Sequence, residues 1–114
     1  MVDVSGISDE AMSRIRATTK PYTVVVLRPG PNRHSEGADA IIFEHGRRNM
    51  ALRAQGTMAI VLPVGGDADI SGIGVFDRSL DEVREIIDGD PGVEAGVFVY
   101  DLYESRGFPG DALP

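Results

Sequence analysis

Four strand-like runs and two helical segments follow one another in the order β-α-β-β-α-β, and this order constrains the chain more than any other feature. Tyr22–Arg28 (YTVVVLR) is dense in β-branched residues, which suit a pleated, half-buried surface, and the turn-forming Arg28-Pro29-Gly30-Pro31-Asn32 ends it. A long helical segment, Glu36–Gln55, comes next and is stopped by Gly56. Thr57–Val64 and Ile70–Phe76 read as two strands joined through Gly65-Gly66-Asp67. Ser79 and Glu82 have the spacing of a capping box ahead of Leu80, Val83, Ile86 and Ile87, so a short amphipathic helix runs to about Gly89. Val97–Tyr103 supplies the last strand. Ahead of them all, Ser8 followed by Asp9 and Glu10 has the character of an N-cap and charged first turn, which predicts a small helix over Ser8–Thr18.

A β-α-β unit used twice points to the ferredoxin-like βαββαβ sandwich, an α+β fold in which two helices cover one face of a four-stranded antiparallel sheet. The expected division is a leader over residues 1–20, the folded domain over 21–106 and a tail over 107–114. Apolar residues occupy both sets of alternate positions in the strands: Tyr22, Val24 and Val26 against Val25 and Leu27, then Met58, Ile60 and Leu62 against Ala59 and Val61. Two helices cover only one side of a sheet. The other side therefore calls for a second subunit, and a sheet-to-sheet homodimer of the dimeric α+β barrel type is predicted.

Composition narrows the function classes. With 114 residues there is room for one core, and a deep site would draw on an oligomer interface. A net charge of -7 opposes the attraction to phosphate backbones on which nucleic-acid binders depend, so no nucleic-acid partner is expected. The absence of cysteine excludes disulfides, thiolate nucleophiles and Cys-based zinc sites. Neither a signal-like apolar stretch nor a membrane span is evident, which predicts a soluble cytoplasmic protein. Asp88-Gly89-Asp90 begins like a calcium loop, but Pro91 and Gly92 stand where further oxygen ligands would be required. His34 and His45, the only histidines, lack the carboxylate company of a transition-metal site, so no metal is predicted.

The long helix carries the chemistry. At about 100° per residue, Ala38, Ile41, Ile42, His45, Asn49 and Leu52 share roughly a third of its circumference. A titratable ring on that stripe needs a partner or a cavity, because an unpaired buried polar group costs roughly 1 to 3 kcal/mol. Asp90, in the turn after the second helix, is the candidate partner. A neighbouring carboxylate fixes the imidazole tautomer and leaves the ring able to exchange protons near neutral pH. The same two residues could equally form a buried structural hydrogen bond, and an Asp before Pro is a common turn device that caps backbone amides.

The residues Glu44-His45 through Gly56, together with Asp88-Gly89-Asp90-Pro91-Gly92-Val93-Glu94-Ala95-Gly96, resemble the YCII-related family of small dimeric ferredoxin-like proteins. A helix histidine followed about ten residues later by glycine, then an Asp-Pro-x-x-x-Ala-Gly turn before the last strand, is the family pattern, and His45, Gly56, Asp90-Pro91 and Ala95-Gly96 match it in order. The resemblance spans Pro21 to Arg106; the leader and the ending Gly107-Phe108-Pro109-Gly110-Asp111 depart from it. It implies that His45 and Asp90 are the active pair, and acid–base work by such a pair needs no cofactor. At least one relative is a dehydrochlorinase of a hydroxylated aromatic.

Around this pair, Asn49 stands one turn beyond His45, where it could orient the ring or a substrate oxygen. The loop from Arg28 to His34 sets cations before a helix N-terminus and could receive a carboxylate or phenolate, with Arg28 as a candidate substrate-binding residue, or it could be a solvated loop. Arg48 lies close enough to the stripe to reach an acidic neighbour. Gly72 and Gly74 either admit a ligand to the strand backbone or make room for bulky side chains. Phe43 and Met50, on a flank of the helix, need cover from the leader, the tail or a partner. Two functions follow: a cofactor-free lyase or isomerase of small oxygenated molecules using His45 and Asp90, or a non-catalytic dimeric binding module. An enzyme requires a ring nitrogen facing an accessible cavity, whereas a structural histidine has both nitrogens occupied by protein groups.

Overall fold

The computed structural model describes residues 1–114. In chain order the elements are α1 (Asp9–Ala17), β1 (Lys20–Pro29), α2 (Ala38–Ala54), β2 (Met58–Pro63), β3 (Gly72–Phe76), α3 (Leu80–Asp88), α4 (Pro91–Glu94) and β4 (Phe98–Gly107). The sheet runs β2-β3-β1-β4 with every neighbouring pair antiparallel, which is the ferredoxin-like arrangement. Ser8 and Ser79 cap α1 and α3 as their side chains allow, and the Ser79–Glu82 capping box is complete. α2 starts at Ala38, two residues later than the spacing suggests, because Gly37 takes a left-handed φ of 83° and cannot extend the helix backward. The stretch after α3 is a one-turn helix, α4, rather than a simple turn.

Alternation along β1 decides which side is core. Thr23, Val25 and Leu27 are buried and point toward the helices, with Tyr22, Val24, Val26 and Arg28 on the opposite side. Val25, Met58 and Phe76 pack against Val83 and Ile87 of α3. Leu27 and Phe98 pack against Ala38, with Ile41 and Ile42 of α2 alongside. β4 is longer than Val97–Tyr103 because Lys20–Tyr22 continue to pair with Ser105–Gly107. The other sheet face presents Val24, Val26, Ile60, Leu62, Ile73 and Val75, partly or fully exposed, with nothing of this chain over them.

The leader helix α1 buries no residue, and Phe43 and Met50 are 67% and 48% exposed, so neither leader nor tail covers that flank of α2. No helix is long and apolar enough to cross a membrane.

Candidate active site

The Asp, Pro and Gly of the Asp-Pro-x-x-x-Ala-Gly segment each have a physical reason, and so does Gly92 between them. Asp90 leaves α3 in extended conformation and caps α4, its carboxylate accepting from the amides of Gly92 at 2.9 Å and Val93 at 3.2 Å. Pro91 takes the first helical position, where a missing N–H costs nothing. Gly92 is needed because a Cβ there would lie 2.7 Å from the Phe98 ring and 3.0 Å from the Asp90 carboxylate. Ala95 offers its carbonyl to the Asn32 side-chain amide at 2.9 Å. Gly96, with φ 72°, turns the chain into β4. The end of β1 is pinned to this turn by Gly30 N–H donating to Val97 and Asn32 N–H to Gly96, both at 2.8 Å.

This scaffold brings two sequence-distant residues together. His45 Nδ1 lies 2.8 Å and 2.9 Å from the two Asp90 oxygens, and Asp90 is 2% exposed. Burial by itself would raise the Asp90 carboxyl. The His45 hydrogen bond and charge, with the Val93 and Gly92 amides, outweigh it and hold the group below its ordinary value. An ionised Asp90 accepts the Nδ1 proton, so Nε2 carries the lone pair, and Asn49 Nδ2 donates to it at 3.2 Å. Phe98 fixes the ring from the side, with centroids 4.8 Å apart and planes tilted by 49°.

Beside the ring lies a cavity of about 600 Å³. Ile42, His45, Asn49 and Met50 of α2 form its roof, and Val25, Leu27, Met58, Val61 and Phe76 its floor. Gly72 and Gly74 also line it, and their missing side chains keep the floor open. Arg33 and His34 of the β1–α2 loop line it as well, as does the β2–β3 loop with Asp67 and Asp69. This hollow explains why Ile42, His45 and Asn49 of the α2 stripe are only half-buried. His45 meets both marks set out for it: its two nitrogens have protein partners, and it borders an accessible space.

Arg28 stands apart from this group. It lies on the uncovered sheet face, its Nε donating to Asp101 at 2.9 Å, and it does not line the cavity, because strand alternation sends position 28 to the side opposite Leu27. Arg48 pairs with no carboxylate and keeps Nη1 buried without a partner. Two contributors escaped the sequence reading. Phe98 carries no signal beyond being an apolar strand residue, and the role of Gly92 depends on where Phe98 lands. Gly92→Ala is expected to lower unfolding free energy by about 2 kcal/mol in urea denaturation, through overpacking against Phe98 and the caged carboxylate. An unchanged midpoint would show that the ring has room to retreat.

A solved structure of a 5-chloro-2-hydroxyhydroquinone dehydrochlorinase, TftG of Burkholderia phenoliruptrix, in complex with 2,5-dihydroxybenzoquinone, matches the chain with a TM-score of 0.53. The match covers 72% of this chain and 90% of that one at 17% identity, a likeness of fold. No protein-family model matches the chain, and no curated protein sequence does.

Proposed function

We propose that the protein is a cofactor-free acid–base enzyme, a lyase or isomerase of dehydrochlorinase type, acting on a small oxygenated and largely apolar molecule, and that it belongs with the YCII-related proteins it resembles. One observation carries the reading: a buried, ionised carboxylate clasps His45 Nδ1 while the same ring borders a cavity of about 600 Å³. Asp90 does not line the cavity, so its role is to hold the tautomer and stabilise the imidazolium, and Nε2 takes the proton. Loss of HCl from a chlorinated hydroquinone would run through the keto form: Nε2 takes one hydroxyl proton and returns it to the chlorine-bearing carbon, then takes the second hydroxyl proton as the C–Cl bond breaks, leaving a quinone and chloride. A substrate hydroxyl would displace the Asn49 amide from Nε2, leaving Asn49 free to hold a substrate oxygen. The apolar sheet face is proposed as the contact of a homodimer.

The engagement of both ring nitrogens favours a second reading, a binding module without chemistry. Proton and halide release measured over a panel of halogenated hydroquinones and lactones separates the two. Turnover by the wild type that falls by about 10²- to 10⁴-fold in His45→Ala is the expected result. Turnover that the substitution leaves intact would remove His45 from the mechanism, and saturable binding with no turnover would favour the module.

A further inference from the structure

Deepening that reading, and resting on it, we infer that the ligand of this cavity ends in an anionic group such as a carboxylate, held by Arg33, with its neutral hydroxylated end toward His45. Arg33 is the one permanent cation among the residues lining the cavity. Of the 11 basic residues only Lys20, Arg28 and Arg47 are paired with a carboxylate; Arg33 is one of the eight that are not, and among those eight it alone lines the cavity. Half-buried in the β1–α2 loop, it offers a planar set of donors matched to a carboxylate. His34 beside it adds a second donor to the lining.

The neighbourhood of His45 repels anions. Asp90 is buried directly behind the His45 ring, so an acidic group seated at Nε2 would face its negative charge in a poorly solvated place. A neutral hydroxyl meets no such penalty. Asp67 and Asp69, which also line the cavity, are exposed and lie within ion-pair distance of no cation, so water screens them and Arg33 remains the available counter-charge. Size agrees: about 600 Å³ falls in the range of roughly 300 to 1,000 Å³ that encloses drug-sized ligands. That leaves space for a side chain on an oxygenated ring.

Titration of the isotope-labelled full chain by NMR, with 2,5-dihydroxyphenylacetate and its methyl ester as paired probes, tests the inference. Wild type should bind the acid about tenfold more tightly than the ester, and added salt should shrink the difference. Arg33→Gln should erase the preference and Arg33→Lys retain part of it. Equal affinities, a preference that survives Arg33→Gln, or no saturable shift with either probe would overturn it. Turnover is not read in this titration. A protein that binds the acid selectively yet releases neither proton nor halide would keep the charge preference and lose the acid–base mechanism.

Discussion

Asp90→Ala should cost about 3 kcal/mol or more of unfolding free energy, a large share of the 5 to 15 kcal/mol typical of a domain. The carboxylate serves three donors at once: the His45 ring and the amides of Gly92 and Val93. Deleting it strands all three in a place where the residue itself is 2% exposed, and it removes the cap on α4. Asp90→Asn separates stability from chemistry. An asparagine oxygen can still accept from the two amides, but its NH₂ then faces Nδ1 and forces the lone pair onto that nitrogen. Nε2 becomes a donor, Asn49 has to rotate its amide, and the base is lost. Where Asp orients His in serine-protease triads, the same change costs about 10⁴ in rate. Asp90→Asn should therefore fold nearly normally in urea denaturation and show little or no turnover.

The acid limb of the stability profile follows from the same group. The folded-state value of Asp90 is lowered, so its contribution is complete above the ordinary value of 3.8 and is lost as pH falls below that through the folded value. Wild type should lose stability across this window more steeply than Asp90→Asn. Parallel profiles for the two proteins would place the acid sensitivity elsewhere.

Val75→Glu is expected to convert the proposed sheet-to-sheet dimer into a monomer, raising its dissociation constant by roughly a thousandfold, about 4 kcal/mol. Val75 sits between Val24 and Ile60 in the middle of the uncovered sheet face, so a carboxylate there would have to be desolvated against apolar partners. The His45–Asp90 pair lies on the other side of the sheet and should be undisturbed, leaving the ring resonances of His45 in place by NMR. Sedimentation of both proteins reads the result. A wild type that sediments as a monomer at tens of micromolar would sink the sheet-to-sheet dimer.

Much of the fold was legible because its signals are local. β-branched runs, the Ser79–Glu82 capping box, the stop at Gly56 and the β-α-β-β-α-β order are each written in neighbouring residues, and together they admit few topologies. The α2 stripe likewise placed His45 and Asn49 on one face, because helical period alone decides that. Arg28 shows where such reasoning ends. Its loop position and charge made it a candidate, but the parity of β1 sends it to the far side of the sheet, onto Asp101.

Which residues lie on a strand or helix, and which of them share a face of α2, was therefore settled by the sequence through short-range periodicity and capping. The meeting of His45 with Asp90 across 45 positions, the tilt of Phe98 against the ring, the hollow left by Gly72 and Gly74, and the turn of Arg33 toward it were decided only by tertiary packing. Such contacts depend on how α2, α4 and the sheet are spaced in three dimensions, and no local pattern encodes that spacing.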